Sequence, residues 1–284
     1  MTCELIDLAT GLLPVIEANL HKSFDEQIAE WQKFYAGSAP ALPGRLYRDY
    51  ADVAGGWLAI AREKVWPHLA ERMDRMWTAS RSIRAVHQDI HGRAVQSLGY
   101  TDALVIVSYV GIGNGAGWAT QWEGRPAVLL GLEKIAELNW HNEPEVRKIL
   151  AHEIGHLFMM SIRGDIEKLA EDPLLCLYEE GFAQHCEHVM LGKETWGCAS
   201  QSGWLEWCLS QEDYLARRYV REMHDREAWR RFYGDWFEID GWRQTGYFLG
   251  CKLVQRLAGT HELRALAAMG EDQIKAAVLD YLRR

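Results

Sequence analysis

His152 and His156, with Glu153 between them, form the run His152-Glu153-Ile154-Gly155-His156. On a helix, residues four apart share a face one turn apart, so both imidazoles can converge on one ion while Glu153 stands beside the remaining coordination position. That is the chemistry of zinc-assisted hydrolysis: nitrogen ligands, an open position for water, and a carboxylate to take the proton of that water. A tetrahedral catalytic zinc needs a third protein ligand. The strongest candidate is Glu180, in Tyr178-Glu179-Glu180-Gly181-Phe182-Ala183-Gln184-His185. It lies far enough beyond His156 for one helix to end, the chain to turn between Gly164 and Pro173, and a second helix to return across the site. Glu171, Asp172 and His185 are the fallbacks for this ligand. Residues 157 to 162 contain neither the glycine nor the third histidine of the extended metzincin motif, which excludes that arrangement.

The pair of motifs, His152-Glu153-x-x-His156 followed by Glu180-Gly181-x-Ala183, resembles the gluzincin clan of metallopeptidases, and in particular a bacterial group of predicted zinc-dependent proteases. Two further segments are similar to that group, Val105 to Asn114 and Gly246-Tyr247-Phe248-Leu249-Gly250, so the resemblance spans roughly residues 100 to 260. It implies Zn2+ held by His152, His156 and Glu180, with Glu153 as general base and a peptide or protein as substrate. It also implies a donor for the developing oxyanion. Tyr247 is the first candidate for that donor and a core tyrosine the alternative reading of it, with Tyr178 and His185 as other choices. The chain departs from the group at Gln184, a position commonly acidic there, which concerns how a ligand histidine is polarised from behind.

The elements that must position these residues follow from local pattern. Asn142-Glu143-Pro144-Glu145 reads as a capping-box helix start, Val146, Ile149, Leu150, Ile154, Leu157 and Phe158 give that helix a core side, and Gly164 offers a stop. The second helix ends near Leu191-Gly192. Leu104 to Val110 and Ala127 to Leu132 read as strands, an antiparallel pair joined by a glycine-rich loop, and the second could be a sheet edge that pairs with an extended peptide. Residues 1 to 98 read as a helical region interrupted by a linker from Gly37 to Gly44, residues 99–195 as the zinc-binding catalytic region, and 196–284 as a helical C-terminal region, together forming one unit. The fold class is α+β, mostly helical, with a small antiparallel or mixed sheet next to the metal-binding helix.

Other patterns carry less chemistry. Gly111-x-Gly113-x-x-Ala116 after a strand, with Glu133 downstream, formally fits a dinucleotide fingerprint. Residues 117 to 126 are too short and too broken by glycine and proline for the helix that fingerprint requires. Cys176, Cys186, His185 and His188 could form a soft metal site, but no C-x-x-C pair accompanies them and core packing is the simpler reading. Trp57, Trp66 and Trp77 fall with Leu58, Val65, Leu69, Met73 and Met76 in a helical stripe that reads as core. The 284 residues carry a net charge of −9, which argues against nucleic-acid and anionic-membrane partners. The N-terminal residues lack a basic leader pattern, no apolar run reaches spanning length, and the six cysteines read as reduced thiols, so the expectation is a cytoplasmic chain. Three classes remain: a zinc peptidase, a zinc hydrolase of another amide or ester, and a non-catalytic interaction protein with a vestigial site.

Overall fold

Asp7 ends a strand and starts a helix, and the first unit is built outward from that junction. The computed structural model describes residues 2–164, 172–197 and 201–284. The chain divides into two compact units, Met1–His91 with Asp102–Leu150, and Gly92–Thr101 with Ala151–Arg284. The division passes within two helices, so each contributes to both units.

The first unit holds a four-stranded sheet of β1 (Cys3–Asp7), β2 (Leu104–Tyr109), β3 (Gly117–Trp122) and β4 (Arg125–Gly131), in the order β1-β2-β4-β3. The sheet is mixed: β1 and β4 flank β2 in parallel, and β3 is antiparallel to β4. The N-terminal region is not wholly helical, because β1 pairs with β2, a partner about a hundred residues away that no local pattern reveals. The two strands read as an antiparallel pair are parallel neighbours, and the segment read as a broken loop is β3. Glu123 and Gly124 form the tight turn from β3 to β4, both with positive φ, and Glu-Gly lacks the Asn-Gly or Asp-Gly signature by which such hairpins are recognised. It follows that β4 is paired on both sides and is no edge; β3 is.

Around this sheet the unit places α1 (Leu8–Asn19), α2 (Phe24–Ser38), α3 (Leu42–Arg48), α4 (Gly56–Ile60), much of α5 (Leu69–Leu98) and α6 (Leu132–Glu137). The linker shrinks to residues 39 to 41, since α2 runs to Ser38 and α3 starts just before Pro43, a residue tolerated in a first helical turn. Between α4 and α5 the chain winds through a π turn and a 3-10 turn at Trp66-Pro67, where proline withholds a backbone donor. Trp66, Met73 and Met76 are buried as the stripe requires, while Leu58 is exposed and Trp57 stacks on Tyr47. Trp31 Nε1 and Tyr35 Oη both donate to the Val110 carbonyl, which ties α2 to the end of β2.

The glycine loop after β2 is closed by the protein itself. Gly111 N–H donates to Glu133 Oε2 at 2.7 Å and Gly113 N–H to Oε1 at 3.2 Å. Burial pushes the Glu133 carboxyl up, with those two amides opposing it. The backbone donors that would meet a pyrophosphate are engaged by a side chain, and β3 occupies the place of the required helix.

The second unit contains the later part of α7 (Glu143–Arg163), α8 (Pro173–Leu191), α9 (Trp204–Ser210), α10 (Glu212–Glu222), α11 (Arg226–Arg230), α12 (Thr245–Ala258), α13 (Leu263–Ala267) and α14 (Glu271–Leu282). Gly164, at φ +85°, ends α7, and Gly192, at φ +68°, ends α8. At its start α8 is capped by Asp172, which accepts from Leu174 N–H and Leu175 N–H and pairs with Lys275. The packing of α8 rests on missing side chains. A Cβ on Gly155 of α7 would lie 2.9 Å from Ala183 Cα, and a Cβ on Gly181 would collide with the Gly250 backbone of α12. Small residues therefore let α7 and α12 approach α8 at backbone distance. No described helix is long and apolar enough to cross a membrane.

Candidate metal centre

Residues 152 and 156 sit one turn apart on α7, and α8 returns past them so that Glu180 faces both. His152 Nε2 lies 3.1 Å from Glu180 Oε2 and 3.2 Å from His156 Nε2, and the third side of the triangle, His156 Nε2 to Glu180 Oε2, is 3.5 Å. Ligands about 2.0–2.1 Å from a tetrahedral zinc stand roughly 3.3 Å from one another, so the three atoms form a face of such a polyhedron. Two imidazoles and one carboxylate are also the donor set of an open catalytic zinc site, and the residues fit that ion. Among the described residues this is the one group of three or more metal-ligating side chains whose ligand atoms converge. Cys176 and Cys186, both buried, join no such group with His185 and His188.

Electrostatics reinforce the convergence. Burial would raise the Glu180 carboxyl, yet the two imidazoles hold it well below the ordinary glutamate range. Burial would likewise lower His156, and the carboxylates of Glu180 and Glu179 outweigh it and raise it well above the usual histidine value. The sequence missed the part played by Glu179. Its Oε1 lies 3.4 Å from His156 Nδ1, in an ionic contact rather than a hydrogen bond, so the His156 ring lies between two adjacent carboxylates. Behind His152, Glu187 Oε2 lies 3.9 Å from Nδ1. The signal for Glu187 is its spacing: Glu180, Ala183 and Glu187 share one face of α8, the face that meets Gly155.

Glu153 is buried to 9 % exposure and lies close enough for its charge to help raise both Glu179 and Tyr247. Tyr247 stands in the first turn of α12 with its ring centroid 5.6 Å from that of His152 and 5.7 Å from that of Tyr233. Burial first, then the charges of Glu180, Asp235, Cys176 and Glu153, push its phenol well above the ordinary value, which keeps it a proton donor at neutral pH. The structure therefore brings His152, Glu153, His156, Glu180 and Tyr247 together. It leaves Tyr178 out, because that hydroxyl donates to the Leu266 carbonyl at 2.8 Å. His185 lies outside the converging group, Asp172 serves as the cap of α8, and Glu171 lies outside the described residues.

Comparison with family models, with curated proteins and with solved structures found no match.

Proposed function

We propose that the chain is a zinc-dependent metallopeptidase of gluzincin type. The observation that carries the reading is the triangle of ligand atoms at 3.1, 3.2 and 3.5 Å with the Glu153 carboxylate in the next helical position. Zinc bound by His152, His156 and Glu180 would polarise a scissile carbonyl and acidify a water molecule toward neutrality. Glu153 takes the proton of the attacking water and returns it to the leaving amine, because a carboxylate beside the open position can act first as base and then as acid. Tyr247, held protonated, donates to the oxyanion that develops on the carbonyl. Glu179 and the packing of α8 keep the His156 ring fixed, so the ligands need little reorganisation when the ion arrives.

The test has two parts. Metal analysis of protein purified without added zinc should give close to one zinc per chain. A diverse peptide library should then be cleaved by the zinc-loaded protein and spared by the chelated one. A zinc-loaded chain that cleaves no peptide but hydrolyses another amide or ester moves the assignment to that class, and a chain without metal affinity makes the site vestigial.

A further inference from the structure

Gln184 occupies the position where an acidic residue would be expected to brace a ligand histidine, and the structure gives its side chain another task. Gln184 Nε2 donates to the Thr195 carbonyl at 2.9 Å, and His188 Nε2 meets the same oxygen at 2.6 Å. Burial lowers His188 to about 4, so its ring is neutral at physiological pH, with Nε2–H as the donor toward Thr195. On its other side, His188 Nδ1 faces the Cys251 thiol at 3.7 Å. Thr195 is thereby fixed through its backbone, and its hydroxyl donates to Glu187 Oε1 at 2.5 Å. The remaining oxygen of Glu187 is the one 3.9 Å from His152 Nδ1. Gln184, Glu187, His188 and Thr195 are all buried, at 3, 3, 7 and 7 % exposure.

We infer that Glu187, held by Thr195 and through it by Gln184 and His188, is the positioning residue for His152. When Nε2 of that imidazole coordinates a metal, its proton must reside on Nδ1, and the Glu187 carboxylate, at ion-pair distance of 3.9 Å, receives that proton once the two groups close by about 1 Å. A buried carboxylate is costly unless it is partnered, so a hydroxyl on one oxygen and a ligand imidazole near the other give its burial a reason. The bracing acid has in effect moved one turn along α8, from position 184 to 187, and the amide at 184 anchors the segment that holds it.

The inference rests on the metallopeptidase reading, and the experiment separates the two. The zinc dissociation constant of Glu187→Gln, Thr195→Val and, as a control, the exposed neighbour Glu194→Gln is measured by competition with a chromophoric chelator. The visible spectrum of each cobalt-substituted protein is recorded beside it. Glu187→Gln should bind zinc about 10- to 100-fold more weakly and Thr195→Val about 3- to 10-fold more weakly, with altered cobalt spectra, while Glu194→Gln matches the parent. Folded variants that bind zinc within about twofold of the parent and share its cobalt spectrum would overturn the inference while leaving the peptidase reading intact. If Glu187→Gln fails to fold, Thr195→Val decides alone, since it removes one hydroxyl and keeps the side-chain volume. A parent that binds no zinc removes both readings together.

Discussion

At the scale of single residues the site separates holding a metal from using it. Glu153→Gln keeps the size of the side chain but cannot accept a proton, so zinc content should be unchanged while peptide turnover falls about a thousandfold or more. Turnover within tenfold of the parent would move the base elsewhere. Tyr247→Phe removes one donor from a ring that packs on His152 and should slow turnover by about a hundredfold with zinc retained. Between the adjacent glutamates, Glu180→Ala should lose most of the zinc affinity. Glu179→Ala, which removes only the carboxylate behind His156, should weaken it less; the opposite ranking in a metal titration would make Glu179 the ligand.

At the scale of elements, the proposed function assigns the small-residue crossings of α8 different tasks. Gly155 sets the approach of α7 to α8, the two helices that carry the ligands, whereas Gly181 and Gly250 set the approach of α12, which carries Tyr247. A methyl group at Gly181 meets backbone that cannot move aside, so Gly181→Ala should destabilise the fold by about 3 kcal/mol in denaturant titrations and impair turnover more than zinc binding. Gly155→Ala should impair zinc binding itself. At the junction of β1 and α1, burial would raise Asp7, but the hydroxyls of Ser108 and Thr10, the Thr10 amide and the Arg84 guanidinium hold it below its ordinary 3.8. A carboxyl with a depressed folded pKa contributes stability that is present above the unfolded pKa and lost as pH falls through the folded one. Asp7→Asn should therefore cost about 1–2 kcal/mol at pH 7, and that difference should shrink as the pH falls through 3.8 and below. An equal loss at pH 7 and pH 2.5 would show that charge is not involved.

For the whole molecule, a metal held at the proposed site would be a folding ligand as well as a reagent. His152 and His156, on the later part of α7, and Glu180, on α8, all belong to the second unit, and an ion bound by all three would exist only when those helices are packed. At free zinc a hundredfold above its dissociation constant the folded state gains about 2.7 kcal/mol, so a chelator should lower the melting temperature by about 5–10 °C, and His156→Ala should abolish that shift. A melting curve indifferent to chelator would count against a bound ion.

What the sequence determined by itself is what local spacing determines. Histidines four apart on one helix must share a face, so the pair, the carboxylate beside it, the glycine that ends α7 and the existence of α8 were all legible in order along the chain. The convergence of Glu180 was an extrapolation from residue type and length, and it took the Gly155–Ala183 and Gly181–Gly250 crossings to make it a distance. Tertiary structure alone decided the rest. The parallel pairing of β1 with β2 joins residues far apart in sequence, and the Glu-Gly turn gave no conventional sign of the hairpin that makes β3 the edge in place of β4. Of the carboxylates behind the two imidazoles, spacing puts Glu187 on the face of α8 that carries Glu180, but the ring atoms that Glu187 and Glu179 approach were not legible. Which atom of a ring a side chain faces depends on how two helices cross, and that crossing is set by packing between elements, on which neither helix's own sequence pattern bears.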